Sequence, residues 1–168
     1  MNISRTFLIK EKEKIFQSPF EINQLKKDIK TYGKEITQIY LPLELLKNFE
    51  ELLNFKINFK PSEIKLKKED KKYYLIIKNN SLTRTNKIKK LISKDIFLEF
   101  EKLGLRNLNK IRMKKIYEEK MIFIDYYPKK SLILGEFQFK NKLEAKKFSW
   151  KGKEITNDKN YLPENLSN

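Results

Sequence analysis

Lys110-Ile111-Arg112-Met113-Lys114 alternates a basic side chain with an apolar one at every step. Because successive side chains of a β-strand point to opposite faces, this period of two predicts a strand with one basic face and one apolar face. Glu63-Ile64-Lys65-Leu66-Lys67 repeats the arrangement, with Ile64 and Leu66 on one face and the two lysines on the other. If helices cover the apolar faces, the basic faces border either bulk solvent or a polar interior.

Segments with this period of two recur along the chain and predict eight strands. Strands come first and last with helical segments between them, an order typical of an α+β fold with a mainly antiparallel sheet. Eight antiparallel strands are enough to close a barrel. The predicted strands span residues 2–9, 36–41, 63–67, 73–78, 82–90, 109–116, 121–127 and 132–140.

Three segments place apolar residues at helical spacing and predict amphipathic helices over residues 21–30, 42–53 and 94–103. Ser93 precedes the third segment as an N-cap, and Gly104 follows it as a stop. The chain has only 4 glycines and 5 prolines, and no low-complexity stretch divides it. We therefore predict a single domain over residues 1–168.

The 168 residues include 38 Lys and Arg against 22 Asp and Glu, which gives a formal net charge of +16. Arginine occurs only four times, so lysine supplies nearly all of this charge. Lysine acts as a flexible point charge, whereas sequence-specific recognition favours the planar guanidinium group. The charge indicates a polyanionic partner more than a sequence-reading one, although an AT-rich coding bias would also enrich lysine.

The absence of cysteine and histidine excludes several kinds of chemistry. Disulfides, thiolate zinc sites, imidazole metal sites and the Ser-His-Asp triad all need one of these residues. An enzyme built from this sequence has to use carboxylates, Lys, Tyr or a cation bound by oxygen. No apolar segment is long enough to span a membrane, and the apolar stretch within residues 1–10 is too short for a signal peptide. We expect a soluble, cytoplasmic protein without a membrane partner.

Trp150-Lys151-Gly152-Lys153-Glu154-Ile155-Thr156-Asn157-Asp158-Lys159-Asn160-Tyr161 resembles the closing motif of the CYTH family, the triphosphate tunnel metalloenzymes. That motif reads Trp-x-Gly-x-Glu-Val-Thr-x-Asp-x-x-Tyr and is followed by a short helix ending in Leu-Ser or Leu-Ala. Four further segments of this chain resemble strands of the family: Gln38-Ile39-Tyr40-Leu41, Tyr74-Leu75-Ile76-Ile77-Lys78, Lys110-Ile111-Arg112 and Gly135-Glu136-Phe137-Gln138. The resemblance covers nearly the whole chain.

The resemblance implies an eight-stranded antiparallel β-barrel with flanking helices, the triphosphate tunnel fold. Its lumen holds a triphosphate, with lysines and arginines on the phosphates and glutamates on a divalent metal. Known activities of the family include hydrolysis of tripolyphosphate and of thiamine triphosphate, adenylate cyclisation and RNA triphosphatase activity. Several cations are needed because a desolvated triphosphate is costly unless each charged oxygen finds a donor. By resemblance, the phosphate-binding residues are Lys65, Lys67, Lys78, Arg84, Lys110 and Arg112.

The sequence departs from the family at the acids. The family signature Glu-x-Glu-x-Lys corresponds to Asn2-Ile3-Ser4-Arg5-Thr6, which has neither glutamate nor the lysine. The acidic fifth strand corresponds to residues 84–90, which keep Arg84 and none of the glutamates. Of the inward acids, Asp125 and Glu136 can be carried over as candidate catalytic residues, and Glu136 as a candidate metal ligand. Either acid is also suited to an ion pair with neighbouring cations.

We therefore predict a divergent CYTH-like protein that binds a triphosphate or polyphosphate-type anion, with metal-dependent hydrolysis weakened or lost. Binding requires no cofactor in this prediction, because the acids that a metal would neutralise are absent. One alternative is an active triphosphatase that uses Mg²⁺ or Mn²⁺ at a site rebuilt from Asp125, Glu136 and Glu154. Another is an RNA or polyanion binder that uses the outer lysines, a partner less favoured by the family resemblance. Trp150, Gly152, Thr156 and Tyr161 are assigned to the closing turn, which plugs one side of the barrel.

Overall fold

The computed structural model describes residues 3–16, 18, 20–80 and 85–167, and its contacts divide the chain into two compact units. The first unit comprises residues 1–35 and 109–166, and the second comprises residues 36–108 with the last two residues of the chain. Each unit has a hydrophobic core of its own. The single domain over residues 1–168 stays a prediction.

The described residues contain nine strands and five α-helices. The strands are β1 (Ile3–Glu11), β2 (Lys14–Ile15), β3 (Lys34–Leu41), β4 (Glu63–Glu69), β5 (Lys72–Asn80), β6 (Thr85–Ile92), β7 (Asn107–Tyr117), β8 (Lys120–Tyr127) and β9 (Leu132–Phe139). The helices are α1 (Ile22–Tyr32), α2 (Leu46–Leu52), α3 (Lys94–Glu101), α4 (Lys142–Lys147) and α5 (Pro163–Leu166).

In the first unit, antiparallel strands follow one another in the order β2-β1-β9-β8-β7. One face of this sheet is apolar and packs against α1 and α4. Helix α1 forms because Glu21 caps its first turn, accepting hydrogen bonds from the backbone N–H groups of Asn23 and Gln24 at 2.9 and 2.6 Å. The buried residues of this core are Phe7, Ile9, Ile22, Leu25, Ile29, Met113, Ile122, Ile124, Ile133, Phe137, Phe139 and Ala145.

In the second unit, antiparallel strands follow the order β3-β4-β5-β6. Their apolar face packs against α2 and α3, and the Ser93 hydroxyl caps α3 by accepting from the Ile96 N–H at 3.3 Å. Gly104 follows α3 with φ +62°, a left-handed conformation that glycine adopts without a Cβ clash. The buried residues of this core are Ile39, Leu41, Phe49, Ile64, Leu66, Leu75, Ile77, Ile92 and Phe97.

The antiparallel sheet with flanking helices agrees with the predicted fold class, and each predicted strand overlaps a strand of the structure. The first residues of the predicted strand 82–90 lie outside the described residues. Strand β2 and helix α4 were not predicted, and the predicted helix 42–53 is a 3-10 turn, Leu43–Leu45, followed by α2. Closure of the strands into a barrel stays a prediction. No helix in the described part of the chain is long and apolar enough to span a bilayer.

Candidate functional site

Asp125 lies at the centre of a buried ion-pair cluster in the first unit. The pairing of β7 with β8 places Arg112 directly opposite it, and Lys110 lies two residues further on the same face. Arg112 donates from Nε to Oδ1 at 2.6 Å and from Nη2 to Oδ2 at 2.7 Å, and Lys110 Nζ donates to Oδ2 at 3.0 Å. Both oxygens of the carboxylate therefore accept charge-assisted hydrogen bonds.

The electrostatics of this cluster favour an ionised carboxylate. Burial alone would raise the pKa of Asp125, but the charges and hydrogen bonds of Lys110 and Arg112 lower it below its ordinary value. Burial lowers the pKa of Arg112 as well, but the hydrogen bonds and the charge of Asp125 outweigh burial and raise the pKa of Arg112 above its ordinary value. Burial lowers the pKa of Lys110, and the nearby Arg112 charge adds to this effect, while Asp125 opposes it.

Glu136 on β9 is partly exposed and adds a second acid beside Arg112. Its Oε2 lies 3.7 Å from Arg112 Nη2, and its Oε1 accepts a hydrogen bond from Gln138 Nε2 at 2.9 Å. Thr6 of β1 is its register partner. These side chains border a cavity of about 230 Å³ that the C-terminal segment also lines. The lining residues include Ser4, Thr6, Lys110, Arg112, Asp125, Tyr127, Glu136, Thr156, Asn157, Asp158 and Tyr161.

The carboxylates at this cavity do not fit a Mg²⁺ or Mn²⁺ site. Among the described residues, no group of three or more Asp or Glu side chains could hold a metal ion. Asp125 uses both oxygens on cations, and Glu136 has an arginine and an amide donor beside its own oxygens. Hard divalent cations need carboxylate oxygens that are free to coordinate them. The donor set therefore disagrees with the metal that the family resemblance implies.

Glu154, the third acid considered for a rebuilt metal site, is held by Arg5. Arg5 donates from Nε to Oε1 at 2.9 Å and from Nη2 to Oε2 at 2.6 Å, and the Thr156 hydroxyl donates to Oε1 at 2.7 Å. The hydrogen bond from Arg5 lowers the pKa of Glu154. Arg5 Nη1 also donates to the carbonyls of Ala145 and Phe148 at 2.7 and 2.8 Å. Glu154 thus fastens the C-terminal segment to β1.

Trp150 and Tyr161, two of the residues assigned to the closing turn, contact side chains of β1 and β9. The Trp150 ring lies 4.8 Å from that of Phe137 and 5.9 Å from that of Phe7. The Tyr161 hydroxyl donates to Glu11 Oε1 at 3.1 Å. The segment also pairs with β1 through backbone hydrogen bonds, because Leu8 N–H donates to Lys153 O and Ile155 N–H donates to Thr6 O.

The second unit carries a separate basic surface, the lysine face, on the side of its strands opposite the core. Lys65 is 4% exposed and its Nζ lies 2.8 Å from Glu63 Oε1. The Lys67 ammonium lies 2.8 Å from Glu69 Oε2. The strand register places six lysines on this face together with these two carboxylates. The lysines are Lys65, Lys67, Lys72, Lys78, Lys87 and Lys89.

Lys78 is the most perturbed lysine of this face. Burial, the charges of Lys65 and Lys87 and a side-chain hydrogen bond with Lys65 together lower its pKa to about 8, with burial the largest cause, while Glu63 opposes the change. Neighbouring positive charges disfavour the charged form of a lysine. The lowered pKa of Lys78 therefore indicates that the lysine face holds more positive charge than its two carboxylates compensate.

The structure distributes the predicted phosphate-binding residues between the two units. Lys110 and Arg112 share Asp125 in the first unit, and Lys65, Lys67 and Lys78 share the lysine face of the second. Arg84 lies outside the described residues. Lys87 and Lys89 were missed from sequence, although the period of two in Lys87-Ile88-Lys89 places both lysines opposite the core-facing Ile88.

No protein-family model matches the sequence, and no curated protein matches it. Solved structures that are similar to the chain include two of NE1496. The inorganic triphosphatase NE1496 aligns with 99% of this chain and 94% of its own at 18% identity, with a TM-score of 0.61. A second structure, of the hypothetical protein NE1496, covers 99% of this chain and 97% of its own at 19% identity, with a TM-score of 0.58. At this level of identity the likeness shows the fold.

Proposed function

We propose that the protein binds a triphosphate or polyphosphate-type anion, with metal-dependent hydrolysis weakened or lost. The observation that carries this proposal is the lysine face, where six lysines share one side of three strands with two carboxylates. The fold likeness to an inorganic triphosphatase supports the choice of a phosphate chain over other anions. The proposal includes the closed eight-stranded barrel, whose lumen is the proposed place of the anion.

Binding without a metal follows from the charges. A phosphate chain leaves water only where cations replace its hydration, and partly buried lysines provide such groups. Lys65 is buried and paired with Glu63, so its side chain loses little freedom when an anion arrives. No cofactor is required for this step.

Weakened hydrolysis follows from the acids. The reaction needs a group that activates water, and the sequence contains no histidine. Asp125 is ionised but fully engaged by Lys110 and Arg112, so it is poorly placed to accept a further proton. In this proposal Asp125 and Glu136 act as ion-pair struts.

Calorimetric titration with sodium tripolyphosphate in EDTA tests the binding. We expect heat at low salt that weakens as salt is added, because the contacts are between ions. Lys65→Gln and Lys78→Gln should each weaken binding, whereas Lys68→Gln should not, since Lys68 is exposed and lies on the opposite side of β4. Absence of heat and of any thermal shift in the wild-type protein would end the proposal.

An active metal-dependent triphosphatase is the second candidate, and the fold likeness to an inorganic triphosphatase favours it. In that case Mg²⁺ or Mn²⁺ would have to enter together with the substrate, because Asp125 and Glu136 already accept hydrogen bonds from neighbouring side chains. Release of phosphate from tripolyphosphate with either metal, abolished by Glu136→Gln, would establish this candidate and overturn the loss of hydrolysis.

A further inference from the structure

We infer that Lys87 is a further anion-binding residue, which together with Lys65 and Lys78 forms a three-strand lysine cluster for the phosphates of a single chain. This inference rests on the proposed function and adds a residue that the family resemblance does not assign. In the resemblance, Lys87 lies between positions of the family's glutamates and is assigned no role.

The register brings the three lysines together. Lys78 of β5 lies directly opposite Lys87 of β6, and on its other side it lies opposite Glu63 of β4. Lys65 follows Glu63 by two residues, so its side chain lies on the same face of the sheet and is diagonal to Lys78. Adjacent strands are about 4.8 Å apart, which places cations from β4, β5 and β6 within reach of one phosphate chain.

The charges of this cluster are not balanced within it. Like charges directly opposite each other on paired strands are destabilising, as Lys78 and Lys87 are. Glu63 is the carboxylate that opposes the pKa change of Lys78, and it already lies 2.8 Å from Lys65. The pKa of Lys87 is lowered by its partial burial and by the charges of Lys67, Lys89 and Lys65.

A bound oxyanion removes this repulsion. Three ammonium groups around one carboxylate leave a net positive charge that a phosphate chain neutralises, and each phosphate offers several acceptor oxygens. Lysine suits the role because its ammonium group is a point charge that follows a chain of variable geometry. The chemistry recognised is that of linked phosphates, from whichever molecule carries them.

The variant Lys87→Gln tests the inference by two readouts of opposite sign. The thermal midpoint of the free protein should rise, because the repulsion with Lys78 is lost. The midpoint shift on adding sodium tripolyphosphate in EDTA should fall, with affinity at low salt reduced roughly tenfold. Lys87→Arg keeps the charge and should restore binding. Lys68→Gln removes the same charge from the opposite side of the sheet and should change neither quantity.

The outcomes separate this inference from the proposed function. If Lys87→Gln binds tripolyphosphate as tightly as the wild-type protein while Lys65→Gln and Lys78→Gln bind weakly, the inference is wrong and the proposed function stands. If Lys87→Gln lowers the midpoint of the free protein, the repulsion that motivates the cluster is absent. If the wild-type protein binds no tripolyphosphate, the proposed function fails and the inference fails with it.

Discussion

Arg112 Nε lies 2.6 Å from Asp125 Oδ1, and the two residues are direct partners across β7 and β8. Asp125 is 6% exposed and also accepts from Lys110, so two cations converge on one buried carboxylate. Much of the positive charge at the first-unit cavity is therefore compensated from within the protein. The lysine face of the second unit is the proposed anion site, and its excess of cations over carboxylates favours it over the first-unit cavity.

Replacement of Asp125 by asparagine should destabilise the protein. The change leaves Lys110 and Arg112 buried without their counter-ion, and loss of one partner of a buried ion pair costs about 3 kcal/mol. Urea unfolding of both proteins at pH 7 measures the difference. Glu136→Gln is the control, since Glu136 is more exposed and lies 3.7 Å from Arg112, and it should cost much less. Equal stability of wild type and Asp125→Asn would show that the pair contributes nothing.

The same ion pair predicts an acid-sensitive stability. The folded-state pKa of Asp125 is lowered, so its stabilisation is present above the unfolded-state pKa of about 3.9 and is lost as pH falls through the lower folded-state value. The gap in unfolding free energy between wild type and Asp125→Asn should therefore narrow below about pH 4. Urea unfolding at steps from pH 7 to pH 3 measures this gap. A gap that stays constant over that range would contradict a lowered pKa.

Local periodicity was enough to predict the strands, but the site depended on strand pairing. A period of two in residues 110–114 correctly separates core from polar side chains without any knowledge of neighbours. The partners of Asp125 come from another strand, so only the β7–β8 register reveals that Arg112 and Lys110 neutralise it. Lys87 was not predicted because only the β5–β6 register places it opposite Lys78. Helix α4 is six residues long and largely polar, so its apolar periodicity is weak.

Lys78 should make the protein more stable at alkaline pH. Its folded-state pKa is about 8, below the ordinary lysine value of 10.5, so the unfolded chain binds more protons between these two values. Stability from this group therefore rises as pH increases from about 8 towards 10.5. Thermal midpoints of wild type and Lys78→Gln, compared from pH 7.5 to pH 10, isolate its contribution. We expect the rise to be smaller in Lys78→Gln and unchanged in Lys68→Gln; parallel curves for all three proteins would contradict the lowered pKa.

Arg5 and Glu154 should hold the C-terminal segment against β1. Two parallel hydrogen bonds join the side chains, and Arg5 also donates to two backbone carbonyls, so we expect Arg5→Gln to loosen the segment more than Glu154→Gln. The pair is partly exposed, and a double-mutant cycle should give a coupling of about 1 kcal/mol or less.

Hydrogen exchange gives a local readout through the Leu8 and Ile155 amides, which donate across this junction. Both amides should exchange faster in Arg5→Gln, whereas the Leu25 amide within α1 should keep its rate, because its partner is the Glu21 carbonyl of the same segment. Faster exchange at Leu25 to the same extent would mean that the variant destabilises the whole first unit and that the clamp is not local.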